Sequence, residues 1–256
     1  MNERLLQRYS RHMRLAEIGE RGQERLNAAR VLVVGLGGLG SPVAMYLAAS
    51  GVGHLVLSDY DAVELSNLQR QIVHGNADVG RTKVESARDT LLALNPEIEV
   101  TPLAWALDDD LDAEIAAATV VVDATDNFES RFALNAVCRR HTTPLVSGAA
   151  MRMEGQIAVF DPRDPNSPCY RCLYTDDGRA EGEPCALVGV LAPLLGIIGS
   201  VQAAETIKLI AGFGTSLAGR LIAFDAADME WRELRLPKDP ACPVCGPGEV
   251  LSSGRP

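Results

Sequence analysis

At 256 residues the chain is long enough for one large α/β domain or two small ones. Its apolar share of 47%, with only 5% aromatic residues, suits a core of Ala, Val, Leu and Ile, and a formal charge of −10 argues against general affinity for nucleic acid. The first residues, Met1 to Arg8, contain no apolar signal core, and the longest apolar run, Ala186 to Gly199, is short for a bilayer and interrupted by Pro193, so a cytoplasmic protein that binds neither membrane nor nucleic acid is expected.

The segment 1–29 reads as helical, with Leu5, Tyr9, Met13 and Ile18 facing inward. Val31 to Val34 is a short apolar run of the kind that forms a central parallel strand, and it leads directly into Gly35-Leu-Gly-Gly-Leu-Gly40. Glycines at G-x-G-x-x-G spacing allow a tight turn, a close backbone approach to phosphate and close helix–strand packing, while the following helix offers free N–H groups to an anion. A helix near Pro42–Ser50 and a strand Leu55–Ser58 complete a βαβ unit. Asp59, at the end of that strand, is placed to hold a ribose hydroxyl. Further on, Lys83 to Leu94 has helical periodicity and stops at Asn95-Pro96. Strands are expected at Glu97–Leu103, Thr119–Asp123 and Pro144–Ser147, with a helix over Glu129–Arg140 between the last two.

After Ser147 the pattern changes. Gly155 to Phe160 alternates like an antiparallel strand, and Asp161 to Pro184 is rich in Pro, Asp and Gly and reads as loop. Val201–Ile210 is expected to be a helix, and Arg220–Asp225 and Glu230–Leu236 a strand pair. With no linker or internal repeat, the expected fold is a single α/β domain over 1–248. Its sheet would be Rossmann-like, doubly wound and mixed, parallel in the N-terminal half and antiparallel in the C-terminal half, with a disordered tail over 249–256.

Four of the six cysteines form two C-x-x-C pairs, Cys169/Cys172 and Cys242/Cys245. Two intervening residues let both thiolates of a pair point at one ion. Neither pair is expected to open a helix in a thioredoxin-like setting. The preferred reading is therefore one closed tetrahedral zinc site of structural kind, and the alternative is four separate buried thiols. Cys138 lies in an apolar helical pattern and reads as packing. His12, His54, His74 and His141 have no partner motif and rank as structural or surface residues. Asn67, Arg70 and Lys83, following the glycine loop and Asp59, could converge on a triphosphate, Arg as a planar fork and Lys as a compact charge.

Arg8-Tyr-Ser-Arg11, the glycine loop, Asp59, Ser66-Asn-Leu-Gln-Arg70, Lys83, Asp123-Ala-Thr-Asp-Asn127 and the two C-x-x-C pairs together resemble the HesA/MoeB/ThiF adenylyltransferases, relatives of the ubiquitin-activating enzymes. The resemblance covers nearly the whole chain. Ser147 to Gln156 is nearest the MoeB type, which serves molybdenum cofactor biosynthesis, whereas Arg8–Arg11 and Cys-Pro-Val-Cys suit the ThiF type of the thiamine pathway equally well. It implies that ATP adenylates the C-terminal glycine carboxylate of a small ubiquitin-fold sulfur-carrier protein and releases pyrophosphate.

By the same resemblance Gly38 lies against the nucleotide, Asp59 holds the ribose, and Ser66, Asn67, Leu68, Gln69 and Arg70 join Lys83 in the nucleotide site. Asn67, Arg70 and Lys83 face the phosphates. Asp126, beside Asn127, is the magnesium ligand; on its residue type alone it could instead cap the following helix. Arg11 acts as an arginine finger on the ATP of a partner subunit, which requires a homodimer, although taken alone it reads as an exposed helix charge. Cys185 is a candidate for covalent contact with the carrier, and a free cysteine is otherwise commonly a small buried hydrophobe. A nicotinamide-dependent oxidoreductase would share the glycine loop and Asp59 but leaves Arg70, Lys83 and Asp126 without a role. A non-catalytic nucleotide-binding scaffold is the third class.

Overall fold

The computed structural model describes residues 3–104, 109–174 and 189–246; Cys185 and the tail over 249–256 lie outside the described residues. Three short helices open the chain, α1 (Glu3–Arg8), α2 (Ser10–Met13) and α3 (Gly19–Ala28). Tyr9 and Ile18 are buried and Leu5 and Met13 partly so, in keeping with the expected inward face. There follow β1 (Arg30–Val34), α4 (Gly40–Ala49), β2 (His54–Ser58), α5 (Lys83–Leu94), β3 (Glu99–Leu103), α6 (Asp109–Ala117), β4 (Val120–Asp123), α7 (Phe128–His141) and β5 (Leu145–Met151). The chain then forms β6 (Glu154–Phe160), the one-turn α8 (Tyr170–Leu173), α9 (Ala192–Ala211), β7 (Arg220–Asp225) and β8 (Glu230–Arg235).

All eight strands form one sheet in the order β3-β2-β1-β4-β5-β6-β7-β8. The first five are parallel, and β5 to β8 form an antiparallel meander, so the mixed sheet expected from the sequence is present. Alternation along the strands divides the core into two layers. Val31, Val33, Leu55, Leu57, Val120 and Val122 belong to the cluster shared with α4, α5 and α9. Leu32, Val34, Val56 and Val121 belong to the cluster shared with α6 and α7. Covered on both faces, these strands carry near-continuous apolar runs. The edge strand β8 is exposed throughout and carries Glu230, Arg232, Glu233 and Arg235, charges that discourage pairing with another chain.

Helix α6 lies where no element was expected, and two features of the C-terminal half differ from expectation. Helix α9 spans 20 residues and begins at Ala192, nine residues before the expected Val201. Pro193 lies in its first turn, where a missing N–H costs nothing, so the residue read as an interruption in fact opens the helix. By length and composition α9 could cross a membrane, yet 56% of its most apolar stretch is buried inside the protein. Leu194, Leu195 and Ile198 are buried among these, each burial contributing about 1.5–3 kcal/mol. The second difference is α8. Cys169 occupies its N-cap position, so the first cysteine pair does open a short helix, within a stretch expected to be loop.

Candidate functional site

The strand order sends β2 and β3 to one side of β1, and β4 and β5 to the other, which opens a crevice beyond the carboxyl ends of β1 and β4. Val34 is level with Ser58 on β2 and with Asp123 on β4, so Gly35, Asp59 and Ala124 leave the sheet at one edge. Gly35 has φ +91°, and a Cβ there would stand 2.6 Å from the Ala124 carbonyl oxygen. A Cβ at Gly40 would stand only 1.9 Å from the Gly35 carbonyl oxygen, so the helix start sits directly on the strand end. At Gly38 the missing side chain is replaced by Leu195 of α9, whose Cδ1 is 2.4 Å from the Cβ position. Helix α4 starts without a side-chain cap; within its first turn the Ser41 N–H already donates to the Gly37 carbonyl at 3.0 Å and Pro42 has no N–H to give.

Asp59 anchors this loop. Its Oδ2 accepts from the Leu36 N–H at 2.7 Å and its Oδ1 from the Asp61 N–H at 2.9 Å. Burial pushes its carboxyl above the usual aspartate range, while Lys83 and the two N–H donors pull the other way. Lys83 is 5% exposed; its Nζ lies 2.5 Å from Asp61 Oδ2 and 3.8 Å from Asp59 Oδ2. Backbone pairing brings it there: the Val63 N–H donates to the Arg81 carbonyl, and Ala62 bridges Thr82, the residue that caps α5.

The same segment continues into a 3₁₀ turn, Leu65–Asn67, in which buried Asn67 accepts from the Glu64 N–H at 3.2 Å. Arg70 is partly exposed and donates to the Ser66 carbonyl at 2.9 Å. Ser66 and Gln69 are exposed and Leu68 is half-buried. In this way the Ser66–Arg70 segment and Lys83 lie on one flank of the crevice.

The opposite flank is the turn after β4. Asp123 is fully buried and spends its carboxylate on structure, accepting from the Thr125 N–H and hydroxyl at 3.0 and 2.6 Å and from the Ser147 hydroxyl at 2.6 Å. Arg131 donates to the Thr125 carbonyl at 2.6 Å and the Gly148 carbonyl at 3.1 Å, and Gln202 donates to the Asp123 carbonyl at 2.8 Å. The cap of α7 is Asn127, whose Oδ1 accepts from the Ser130 N–H at 2.8 Å. Asp126 is therefore not the cap that its residue type allowed; it is exposed. The Tyr60 hydroxyl has its pKa raised, chiefly by the Asp61 carboxylate and then by burial and Asp126. One exposed carboxylate at a strand end, acting with substrate phosphates, is the donor set magnesium ordinarily takes.

Residues passed over in the sequence complete the floor. His74 is buried, bonded through Nδ1 to the Ser86 hydroxyl at 2.8 Å and through Nε2 to the Leu36 carbonyl at 3.1 Å, and burial lowers its pKa. It ties the glycine loop to the helix that carries Lys83. Gln71 is 4% exposed, and its Nε2 lies 3.7 Å from the Cβ position at Gly37. Its place directly after Arg70 was the available signal; nothing in the sequence singled out Arg131 or Gln202. The other histidines are structural: His54 bonds the Thr101 hydroxyl at 2.9 Å and His141 meets Asp112 at 2.7 Å, while His12 is half-buried. Cys138 is 2% exposed and its thiol is pushed up by burial, as befits a packing residue.

The two cysteine pairs do meet. Cys169 and Cys242 sulfurs are 3.6 Å apart, Cys172 and Cys245 sulfurs 3.4 Å apart, and all four lie within 4.8 Å of one another. A tetrahedral zinc with bonds of about 2.3 Å needs sulfurs roughly 3.8 Å apart, so the cluster fits the ion. Cys169, Cys242 and Cys245 are buried. Arg11 lies elsewhere. The Tyr9 hydroxyl accepts from Asn95 Nδ2 at 2.9 Å, and its ring fills the space beside Gly51. Asn95 and Gly51 follow the carboxyl ends of α5 and α4, at the edge of the sheet opposite the glycine loop. Arg11, exposed on α2, is thus set apart from the crevice of its own chain.

A family model described as the ThiF family matches residues 9–244. The chain is 50% identical over 250 residues to a molybdopterin-synthase adenylyltransferase of Escherichia coli strain K12, covering 96% of this chain and 98% of that protein. It is 44% identical over 247 residues to a sulfur carrier protein ThiS adenylyltransferase of the same strain, covering 96% and 97%. A crystal structure of E. coli MccB with ATP matches at a TM-score of 0.81 and 26% identity, over 93% of this chain and 73% of that one. With the glycine loop, the crevice and the paired cysteines carried on a chain matched over nearly its full length, the protein belongs to the ThiF family.

Proposed function

We propose that this protein is an adenylyltransferase that uses ATP to activate the C-terminal glycine carboxylate of a ubiquitin-fold sulfur-carrier protein. The observation that carries the reading is the 50% identity, over nearly the full length of both chains, to a molybdopterin-synthase adenylyltransferase. A carrier for molybdenum cofactor biosynthesis is therefore preferred. The ThiS type is the second reading, supported by the 44% identity to an enzyme of that name. A hydride-transfer enzyme would leave buried Lys83 and the Arg70 segment without work.

In the reaction a carboxylate oxygen bonds to the α-phosphorus, the bond from that phosphorus to the bridging oxygen breaks, and pyrophosphate leaves with the electron pair. Both reactants are anions, so alignment and neutralisation decide the rate. The glycine loop, including Gly38, gives the nucleotide close backbone contact, and Asp59 accepts from the ribose. Asn67, Arg70 and Lys83 hold the phosphates, Lys83 exchanging its bond to Asp61 for one to the triphosphate. Asp126 holds magnesium, which when bound spreads the phosphate charge. Arg11 reaches the nucleotide of the other subunit of a homodimer. Zinc on Cys169, Cys172, Cys242 and Cys245 has no open position and is structural. Of the proposed catalytic residues, only Cys185 has no described surroundings. The setting is cytoplasmic, and none of the five cysteines among the described residues is in a disulfide.

The test is exchange of labelled pyrophosphate into ATP, measured with a glycine-ended carrier of each type. Carrier-dependent exchange, stronger with the molybdopterin-synthase carrier, is expected. Stronger exchange with the ThiS-type carrier would move the assignment to the second reading, and no exchange with either would overturn adenylation.

A further inference from the structure

The turn that carries Asp126 runs directly into α7, and α7 is held by α8, the single turn that carries Cys169 and Cys172. Tyr170, between those two cysteines, is 2% exposed. Its N–H donates to Asn135 Oδ1 on α7 at 2.8 Å, and its ring meets Phe132 edge-on with centroids 5.5 Å apart. Tyr174, just past α8, meets Phe128 in the first turn of α7 at 5.4 Å. Arg131, next to Phe132 on α7, donates to the carbonyl of Thr125, the neighbour of Asp126. From the cysteine cluster to the Asp126 turn the path runs through ring packing and hydrogen bonds that join α8, α7 and the turn.

We propose that Tyr170 is a positioning residue that couples zinc at the cysteine cluster to nucleotide binding at the Asp126 turn. This rests on the adenylation and zinc readings above. A helix of four residues has no stability of its own, so the set of α8 depends on what its two cysteines are fastened to. With four sulfurs on one ion, Tyr170 is fixed against α7, and Arg131 holds the Thr125 carbonyl in place. Without the ion α8 loosens, the Asp126 turn gains freedom, and the nucleotide must order it on binding. Linkage then requires each ligand to change the affinity of the other by one common factor.

The full-length zinc-loaded protein under reducing conditions serves for the test. Zinc affinity is measured by competition with a chromophoric chelator, with and without magnesium and α,β-methylene ATP. Affinity for the same nucleotide is measured by calorimetry on loaded and zinc-stripped protein. Both affinities are expected to change by the same factor, about fivefold or more, the lower end of ordinary coupling between sites. Tyr170→Leu, still zinc-loaded, should weaken nucleotide binding and abolish the coupling. Leu221→Ala, which thins the same core layer from β7, should leave the coupling at its wild-type value.

Equal nucleotide affinity with and without zinc, or coupling that survives Tyr170→Leu, would overturn the proposal. If the stripped chain unfolds by circular dichroism, the loaded Tyr170→Leu protein decides, and wild-type nucleotide affinity there would overturn it. A wild-type protein that holds zinc and exchanges pyrophosphate without coupling refutes this inference alone. One that does neither refutes the readings beneath it.

Discussion

Asp59 is the residue where burial and hydrogen bonding pull in opposite directions. Its carboxylate is buried beneath the glycine loop, and burial raises its pKa above that of the unfolded chain. A carboxyl with a raised folded pKa contributes stability below its unfolded pKa and loses that contribution as pH rises through the folded value. At neutral pH the fold therefore carries an ionised group it would hold more easily protonated. Asp59→Asn removes the buried charge but sets an amide NH2 against one of the two backbone N–H groups the carboxylate accepts, so it is expected to lower the melting temperature at pH 7 and to weaken ATP binding about tenfold, the cost of one charge-assisted hydrogen bond. Differential scanning calorimetry and nucleotide titration on one preparation check both signs. A variant as stable as wild type, or more so, would show that the cost of burying the charge outweighs the hydrogen bond that Asn cannot accept. In the wild type, nucleotide affinity should begin to fall on acidification at a higher pH than an ordinary aspartate would give.

At the scale of elements, the glycine loop is shaped by its packing partners. Gly40→Ala places a Cβ 1.9 Å from the backbone oxygen of Gly35, which cannot move without parting α4 from β1. Gly38→Ala meets only the end of the Leu195 side chain, which can turn aside. Gly40→Ala should accordingly destabilise by several kcal/mol, in the range of severe overpacking, and Gly38→Ala by about 1–3 kcal/mol. Urea unfolding of the two variants checks the order, and a reversed order would contradict the packing described. Such contrasts also mark what was legible in the sequence. The run Val31–Val34 into Gly35–Gly40 announced strand, turn and helix, because period and turn chemistry are local. Helix α5 runs from Lys83 to Leu94 and stops at Asn95, as expected, for the same reason. Pro193 was misread because its meaning depends on whether helix lies before or after it. Of the supports of the Asp126 turn, Gln202 was illegible because it reaches Asp123 from 79 residues away, and Arg131, only six residues from Thr125, because nothing local shows that its guanidinium folds back on the turn rather than out to solvent.

For the whole molecule, the proposed second copy rests on the separation of Arg11 from its own crevice. Tyr9 seats α1 and α2 at the opposite edge of the sheet, so a guanidinium there serves a nucleotide only by reaching another chain. The Arg11→Ala and Lys83→Ala proteins should each lose about 10²–10³-fold in exchange rate, as enzymes do on losing one charge-stabilising donor. A mixture of the two after subunit exchange should recover part of the wild-type rate, since one of the two crevices in each hybrid is whole. No recovery in mixtures proven to contain hybrids would place Arg11 outside the reaction.

The most direct measurement is the intact mass of the carrier itself. A glycine-ended carrier incubated with this protein, ATP and magnesium, and with no sulfur donor, should gain the mass of one adenylyl group on its terminal glycine, while a carrier lacking that glycine stays unchanged. An unmodified glycine-ended carrier of either type, in the presence of protein that demonstrably binds ATP, would contradict the assignment.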